Sequence, residues 1–436
     1  MSTDKKLLYI TYYWPPSGGA GVQRSIKFVN YLKKYGWNVQ VLTVDPNAAT
    51  YPVIDESLQN EVSQQVKVTR TNSREPLRVL SAIGGKKAVP YGGFTNSNKE
   101  KWYQKLLRFV RGNFFVPDAR IGWVDFAFRA SAKIIRENNI SKIVISSPPH
   151  SSQLIGLKLK KEFPHLIWLA DLRDPWTDIY YYKDLMHLPF IKKKDLHLER
   201  QVLENCDAAL VVSTPIADLL RVKSDKIDPN KFTVIPNGFD RQDFPEDISP
   251  PKDVFRITYV GTMADSYKPE VFLIALSQLI KSNPEINIQL RLVGSVAAGL
   301  RATIDQHSLS GRVEMIGHVS HHKAVNYMCD SSLLLLLIPA TANSEGILTG
   351  KIFEYLGAGV PILGIGPVAG SAAAVLQECN AGKMFERDNP KVVSEFLEKQ
   401  LLQWKNNPDL RHHADVSKYE RSAQALQLSA ILEKLK

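Results

Sequence analysis

The segment Ser344-Glu-Gly-Ile-Leu-Thr-Gly-Lys-Ile-Phe-Glu-Tyr-Leu-Gly-Ala-Gly-Val-Pro-Ile-Leu363 follows an apolar run, and together they predict a strand, a turn and a helix. Thr349 is a plausible N-cap, so backbone N–H groups and the positive end of the helix dipole face the turn, where they favour a phosphate. Lys351 adds a cation in the first helical turn, and Glu354 is placed one turn further on to accept hydrogen bonds from a ribose diol. The combination indicates a nucleoside diphosphate site. The alternative is a capped surface helix that happens to carry Lys and Glu.

Strands and helices also alternate along the rest of the chain. The strand Leu7–Thr11, a helix over residues 22–35 and a strand over 37–44 form a first βαβ unit, with a loop rich in Pro and Gly before the helix. The pattern starts again at Phe255–Val260. We therefore predict an α/β protein with two Rossmann-like, doubly wound domains, whose ligands bind beyond the carboxyl ends of the strands.

The length of the chain also favours two domains, because 436 residues exceed what one hydrophobic core usually organises. We place the first domain at residues 1–236 and the second at 254–414, joined by a linker rich in Pro and Asp at 237–253. The tail, 415–436, has apolar residues near helical spacing and can pack on either domain.

The composition indicates a globular protein with an anionic partner. Apolar residues make up 44% of the chain and charged residues 23%, and the net charge is +11. A nucleic acid ranks behind an acidic lipid surface or a phosphorylated substrate, because the sequence has no helix-turn-helix, zinc finger or RNA-binding aromatic motif. The chain starts on a strand instead of a signal peptide, no apolar run approaches the ~20 residues of a membrane span, and the cysteines are scattered. We therefore expect a cytoplasmic protein.

The segment Lys101-Trp-Tyr-Gln-Lys-Leu-Leu-Arg-Phe-Val-Arg111 predicts a basic amphipathic helix, after a Gly-rich excursion at 81–99. Lys and Arg side chains share one face, and Trp102 and Phe109 lie on the neighbouring face. Such a helix, over residues 101–115, can lie at the surface of an anionic membrane. The alternative is a helix that packs its Trp and Phe into the first domain.

Four segments, in order, resemble glycosyltransferase family 4, the retaining group with the GT-B fold. They are a glycine loop after the first strand, the end of the first domain, the opening of the second domain and the helix described above: Pro15–Gly21, Val234–Asp240, Tyr259–Thr262 and Lys351–Pro361. The resemblance covers nearly the whole chain. Residues 170–176, Ala-Asp-Leu-Arg-Asp-Pro-Trp, also resemble a branch of the family that works on cell-surface polysaccharides.

This resemblance implies that the second domain holds a UDP- or GDP-sugar donor and that the first domain receives a glycan or lipid-linked acceptor. It also implies that part of the C-terminal helix, 415–436, crosses back to join the first domain. Transfer is then expected in the cleft between the domains, with retention of anomeric configuration. Members usually need no metal, and the chain has no Asp-x-Asp pair placed to hold one; no cofactor besides the donor substrate is expected. The implied pathway is cell-surface polysaccharide or glycolipid assembly at the inner face of the cytoplasmic membrane.

By this resemblance Glu354 is the ribose-binding glutamate, and Lys351 lies close to the phosphates or structures the turn. The other donor contacts are expected from loops that follow strands; the residues concerned are Gly346, Ile347, Leu348, Gly19, Gly21, Thr262, Gly317 and His318. An ordinary strand-to-helix turn is the alternative for the first glycine loop, and an ordinary loop histidine is the alternative for His318.

The candidate catalytic residues are Glu345, Arg173 and Lys268. Eight residues separate Glu345 from Glu354 where the family commonly has seven, so Glu345 reaches the donor sugar only if the turn bulges by one residue. Lys268 is the candidate for the family's phosphate-binding lysine. Arg173 stands where many relatives carry His; since Arg cannot act as a base, its expected role is to bind phosphate or donor sugar. A structural ion pair with a neighbouring Asp is the alternative.

Two further basic residues are candidates. The family often carries Arg where this chain has Thr262, so a cation is either missing or supplied by Arg24 or Arg173. His150 follows a strand and is another candidate for the cleft, in competition with a capping or turn role.

Three other functions remain open. A UDP-sugar epimerase or hydrolase of the same fold would consume donor without an acceptor. A nicotinamide-dependent Rossmann enzyme would use Gly19-Ala-Gly-Val-Gln-Arg24, which has two glycines of that fingerprint but Arg in place of the third. The third is a non-catalytic binder of sugar or lipid.

Overall fold

The computed structural model describes residues 5–75, 102–179, 182–245, 247–341, 344–409, 411 and 415–435. Two compact units divide the chain: unit 1 comprises Met1–Pro236 with Arg421–Lys436, and unit 2 comprises Asn237–Glu420. Each unit is an α/β domain built on one parallel sheet, which is the predicted fold class. The segment 237–253, predicted as a linker, falls within unit 2.

The sheet of unit 1 has seven strands in the order β3-β2-β1-β4-β5-β6-β7. Helices cover both faces of such a sheet, so its central strands are apolar along their length. The strand β5 is buried at every position, Asp171 included. The strands are β1 Lys6–Thr11, β2 Asn38–Val44, β3 Lys67–Thr71, β4 Lys142–Ser147, β5 Ile167–Leu172, β6 Ala208–Val211 and β7 Phe232–Val234.

The described helices of unit 1 are α1 Ala20–Lys34, α2 Trp102–Phe114, α3 Val124–Asn138, α4 Gln153–Glu162, α5 Pro189–Asn205 and α6 Thr214–Arg221, followed by α13 Arg421–Lys434 at the end of the chain. Gly36 lies just beyond the end of α1 with φ +85°, the left-handed conformation in which a glycine commonly ends a helix.

Within the tail, residues 421–436 belong to unit 1 and residues 415–420 to unit 2, an arrangement that the pattern of apolar residues left undecided. Helix α13 packs Ala425, Leu428 and Leu432 into the core that also holds α1. Polar contacts fix its position, because Nε1 of Trp37 donates a hydrogen bond to Oγ of Ser429 at 2.9 Å. The last helix therefore completes the domain that the first strand begins.

The sheet of unit 2 has six strands in the order β10-β9-β8-β11-β12-β13. They are β8 Phe255–Val260, β9 Ile288–Val293, β10 Val313–Ile316, β11 Leu333–Leu337, β12 Ile362–Ile365 and β13 Gly382–Phe385. The described helices around them are α7 Glu270–Ser282, α8 Ala298–Gln306, α9 His321–Cys329, α10 Gly350–Ala358, α11 Ser371–Glu378 and α12 Pro390–Asn406.

Two predictions about the first domain fall wholly or partly outside the described residues. The Gly-rich excursion at 81–99 and Lys101 lie outside them, whereas α2 is described from Trp102 onward. Among the helices of the described ranges, none is both long and apolar enough to cross a membrane.

Candidate functional site

In unit 2, the order of strands makes β8 and β11 central neighbours from which the chain leaves toward opposite sides of the sheet. In doubly wound domains ligands bind at this point, beyond the carboxyl ends of the two strands. Gly261 begins the turn after β8, and the segment after β11 leads into α10. The candidate site is therefore built from these two connections and from α9.

Lys351 lies in the first turn of α10, but its side chain points inward beneath the turn after β8. Its Nζ donates a hydrogen bond to the hydroxyl of Tyr259 at 2.6 Å and lies 4.5 Å and 5.2 Å from the ring centroids of Tyr259 and Tyr267. Burial lowers the pKa of Lys351 to about 8, and the charge of Glu354 acts in the opposite direction. Of the two roles predicted for Lys351, this geometry supports a cation that structures the turn.

The turn after β8 depends on glycine. Gly261 has φ +126°, and a Cβ at this position would lie 2.3 Å from Cε of Lys351. The hydroxyl of Tyr259 donates to the carbonyl of Thr262 at 2.8 Å, so the lysine, the tyrosine and the turn form one connected group. Thr262 itself is exposed, and its contact with the donor stays a prediction.

Glu354 is held by a histidine that the sequence reasoning missed. Nε2 of His321 lies 3.1 Å from Oε1 of Glu354, with side chains that are 17% and 21% exposed. His321 is the first residue of α9, after the N-cap Ser320. His318, the residue we predicted nearby, is exposed in the loop before α9 together with Gly317. The one signal in the sequence is Ser320, a residue type that favours the N-cap position, directly before His321.

The segment between β11 and α10 carries two threonine hydroxyls that lack a protein partner. Within the described residues, Oγ1 of Thr341 and Oγ1 of Thr349 are buried and form no hydrogen bond. Thr349 occupies the predicted N-cap position of α10, but its side chain makes no capping bond. Because an unbonded buried hydroxyl is costly, this pair indicates a place for a polar ligand or water.

The backbone of this segment is partly committed to the protein itself. The N–H of Ile347 donates to the carbonyl of Ser344 at 3.1 Å. This N–H, which we expected to bind the diphosphate, is therefore already hydrogen-bonded within the protein. The side chains of Ile347 and Leu348 pack against the core. Glu345 is exposed in the same turn as Gly346. The roles of Gly346, Leu348 and Glu345 toward a donor stay predictions.

Lys268 has an unusual backbone conformation and an exposed side chain. Its φ of +45° places it in the left-handed region, directly after Tyr267, whose ring faces the ammonium of Lys351. The residue is thus next to the site without a described contact to Glu354. Its predicted contact with phosphate stays a prediction.

In unit 1, the structure brings Arg173 to the glycine loop. Nε and Nη2 of Arg173 donate to the carbonyls of Ser147 and Pro148, both at 3.1 Å. Nη1 faces Gly21 so closely that a Cβ on this glycine would lie 1.6 Å away. Gly19 is the N-cap of α1 with φ +108°. Arg173 therefore connects the ends of β4 and β5 to the start of α1.

The other arginine discussed for this region, Arg24, also has a defined position. Arg24 is fully buried, with Nη2 at 3.0 Å from Oδ1 of Asp171 and further bonds to the carbonyls of Ile235 and Pro236. This pairing contradicts the idea that Arg24 supplies a cation to the donor. It also shows that Asp171 pairs with Arg24, and not with Arg173.

His150 lies beside Arg173 at the end of β4. Its ring stacks on Trp176 with centroids 5.1 Å apart, and neither ring nitrogen has a hydrogen-bond partner among the described residues. Burial lowers the pKa of His150 to about 4, a shift that Asp118 opposes and Arg173 reinforces. The imidazole is therefore neutral at neutral pH, with one nitrogen able to donate and one able to accept.

Comparison with known proteins agrees with this fold. Residues 91–243, about a third of the chain, match Glycosyltransferase Family 4. No curated protein sequence matches.

Similar solved structures include a sucrose-phosphate synthase from Thermosynechococcus elongatus (TM-score 0.62, 17% identity, 99% of each chain covered). A glycosyltransferase from Rickettsia africae has TM-score 0.62 and 15% identity, with 100% of each chain covered. Anabaena HepE in complex with UDP has TM-score 0.62 and 13% identity, with 99% of this chain and 100% of the other covered. The fold is GT-B, and the chain is similar to glycosyltransferase family 4 over residues 91–243.

Proposed function

We propose that this chain transfers a sugar from a UDP- or GDP-activated donor to an acceptor hydroxyl, with retention of anomeric configuration and without a metal ion. The observation that carries the proposal is the start of α10, where Thr349, whose hydroxyl forms no hydrogen bond within the described residues, lies five residues before Glu354. Oε1 of Glu354 is paired with His321, which leaves Oε2 to accept from a ribose diol. The N-terminal N–H groups of α10 would stabilise the diphosphate.

The proposed reaction breaks the bond between the anomeric carbon and the phosphate oxygen, and its electron pair leaves with the diphosphate. The acceptor oxygen bonds to the same face of the sugar, and its proton passes to the departing phosphate. Backbone dipoles at residues 346–350, with the ammonium of Lys268, would stabilise the charge of the leaving group. The acceptor would be a glycan or lipid-linked sugar of a cell-surface polysaccharide or glycolipid pathway, at the inner face of the cytoplasmic membrane.

Calorimetric titration with UDP, GDP and NAD, in the absence of divalent metal, tests the donor site. We expect UDP or GDP to bind to the wild type and the affinity to fall about tenfold or more in Glu354→Ala, the loss of a charged hydrogen-bond acceptor. Glu398→Ala is the matched control, because Glu398 is an exposed helical glutamate on α12. Binding of NAD alone, or nucleotide binding equal in the two variants, would refute the assignment.

Product analysis by NMR tests the reaction itself. With a nucleotide-sugar and an acceptor we expect a glycoside of the same anomeric configuration as the donor. Consumption of donor without acceptor would instead support an epimerase or hydrolase, and a product of opposite configuration would exclude the retaining mechanism.

A further inference from the structure

Large apolar side chains of unit 1 are exposed in two segments that lie side by side. One is α2, and the other is the stretch 182–190 that leads into α5. The exposed fractions are 52% for Leu106, 72% for Phe114, 41% for Met186, 37% for Leu188 and 66% for Phe190. We call these five residues the apolar patch. Patches of this kind on a single chain usually mark a contact surface.

Hydrogen bonds through Asn113 hold the two segments together. Its Nδ2 donates to the carbonyl of Met186 at 3.1 Å, and its Oδ1 accepts from the N–H of Leu188 at 2.7 Å. Gly112 makes the contact close, since a Cβ there would lie 2.3 Å from the carbonyl oxygen of Leu185. The patch therefore has a fixed backbone, which places Phe114 beside the stretch 186–190.

The helix contributes a continuous apolar stripe to the patch. Leu106, Val110 and Phe114 are spaced by four residues and so lie along one side of α2. Arg111 lies on the adjoining side of the helix and Arg108 on the opposite side, so a charged face lies opposite the apolar stripe. This is the arrangement of a helix that lies in the plane of an interface.

Both segments that carry the patch are basic, and we call their Lys and Arg residues its basic border. Residues 102–115 and 182–194 together hold seven Lys or Arg and one Asp, a net charge of +6. They are Lys105, Arg108, Arg111, Lys183, Lys192, Lys193 and Lys194, against Asp184. Lys192, Lys193 and Lys194 are exposed and follow Phe190 within the first turns of α5.

We propose that the apolar patch and its basic border are a docking surface for an anionic lipid bilayer, with Phe114 and Phe190 inserted among the headgroups. A second copy of the chain would bring two borders of the same sign together, whereas anionic lipid neutralises them. The surface extends the helix predicted at 101–115 by a second segment that the sequence did not indicate. It does not depend on which sugar the site transfers.

Co-sedimentation of the full chain with vesicles tests this surface. We use vesicles of phosphatidylcholine alone and of phosphatidylcholine mixed with phosphatidylglycerol, at low and high salt. We expect binding to the mixed vesicles that weakens as salt rises. The double variant Phe114→Ser/Phe190→Ser should lower the partition coefficient about tenfold or more, since each ring loses its burial in the interface. Lys192→Glu/Lys193→Glu/Lys194→Glu should lower binding to mixed vesicles more than binding to neutral ones.

A matched control carries Val222→Ser and Leu426→Ser, which alter exposed apolar residues of unit 1 outside the patch. This control should bind vesicles like the wild type, and all variants should keep the circular dichroism spectrum and nucleotide affinity of the wild type. No binding of the wild type to mixed vesicles, or an equal loss in the control, overturns the proposal. A concentration-dependent dimer that dissociates in Phe114→Ser/Phe190→Ser, without vesicle binding, assigns the patch to a second copy and also overturns it.

Discussion

At Thr349, we expect the side-chain hydroxyl to affect the stability of the unliganded protein and its affinity for nucleotide in opposite directions. It is buried at the start of α10 and has no hydrogen-bond partner among the residues that the structure describes, so it costs free energy in the unliganded protein. Thr349→Val keeps the shape and removes the hydroxyl. We expect the free energy of unfolding without ligand to stay equal or rise by about 1 kcal/mol, while the affinity for UDP or GDP falls several-fold. Denaturant titration and calorimetry measure the two quantities.

The control for this variant is Thr303→Val, because the hydroxyl of Thr303 already donates to the carbonyl of Gly299 on the exposed side of α8. Its nucleotide affinity should not change. If Thr349→Val bound nucleotide like the wild type, the hydroxyl would have no part in the donor site.

Lys351 makes the stability of the folded protein depend on pH. Its pKa is lowered to about 8 in the folded state by burial, below the ordinary value of a lysine. Between these two values the unfolded chain binds more protons than the folded one, so this residue makes stability rise with pH. Below pH 8 the ammonium is charged in both states, and its burial is fully unfavourable.

Unfolding of the wild type and Lys351→Met at pH 7 and pH 10 tests this effect. We expect the stability of the wild type relative to the variant to increase by about 2 kcal/mol over that range. The difference between the two proteins cancels other groups that titrate in both. A difference independent of pH would mean that the ammonium is not desolvated beneath the turn.

At the scale of elements, the pairing of α9 with α10 positions the Glu354 carboxylate. His321 contacts Oε1 at 3.1 Å, so its removal frees the carboxylate to rotate. We expect His321→Ala to weaken UDP or GDP binding about 3- to 10-fold, the loss of one hydrogen bond that orients a charged group. His322→Ala, on the exposed side of the same helix start, is the control and should bind like the wild type.

A double-mutant cycle distinguishes positioning from a general loss of structure. If His321 acts through Glu354, the variant His321→Ala/Glu354→Ala should bind no more weakly than Glu354→Ala alone. Additive losses would show that the two residues contribute independently.

The contact of α1 with the end of β5 predicts a glycine that cannot be replaced. A Cβ on Gly21 would lie 1.6 Å from Nη1 of Arg173, whose other nitrogens are fixed by two backbone carbonyls. We expect Gly21→Ala to destabilise the protein by about 1–3 kcal/mol. Arg173→Ala in the same chain should relieve most of this clash. Gly311→Ala, where a Cβ meets nothing within 4 Å, should be close to neutral by thermal unfolding.

At the scale of the whole molecule, the alternation of apolar strands and helices was sufficient to predict the two sheets. Parallel strands are buried on both faces, so they appear in the sequence as continuous apolar runs. The five leucines of β11 are an example. The strand β13 escaped notice, since Gly-Lys-Met-Phe is too short and mixed to show a period.

The site was harder to predict because its partners are distant in the sequence. The start of α10 and the position of Glu354 can be predicted from neighbouring residues in the sequence. The burial of Lys351 depends on its hydrogen bond to Tyr259, 92 residues away. The burial of Arg24 against Asp171 likewise joins residues 147 positions apart. Local patterns show which residues are charged, whereas the tertiary fold decides which of them remain available to a ligand.

The division into units predicts which parts of the chain fold alone. Residues 237–420 are contiguous and contain their own cores around the second sheet, so this segment should unfold cooperatively by itself. Because most of the predicted donor contacts, Glu354 and Lys268 among them, lie within it, the segment should bind UDP or GDP within about tenfold of the full chain. Residues 1–236 alone lack α13 and leave its place in the core open. Their unfolding midpoint should lie at a lower denaturant concentration than that of unit 1 in the full chain. A peptide of residues 421–436 added in trans should raise this midpoint. A folded 237–420 segment that fails to bind nucleotide would show that unit 1 is required for donor recognition.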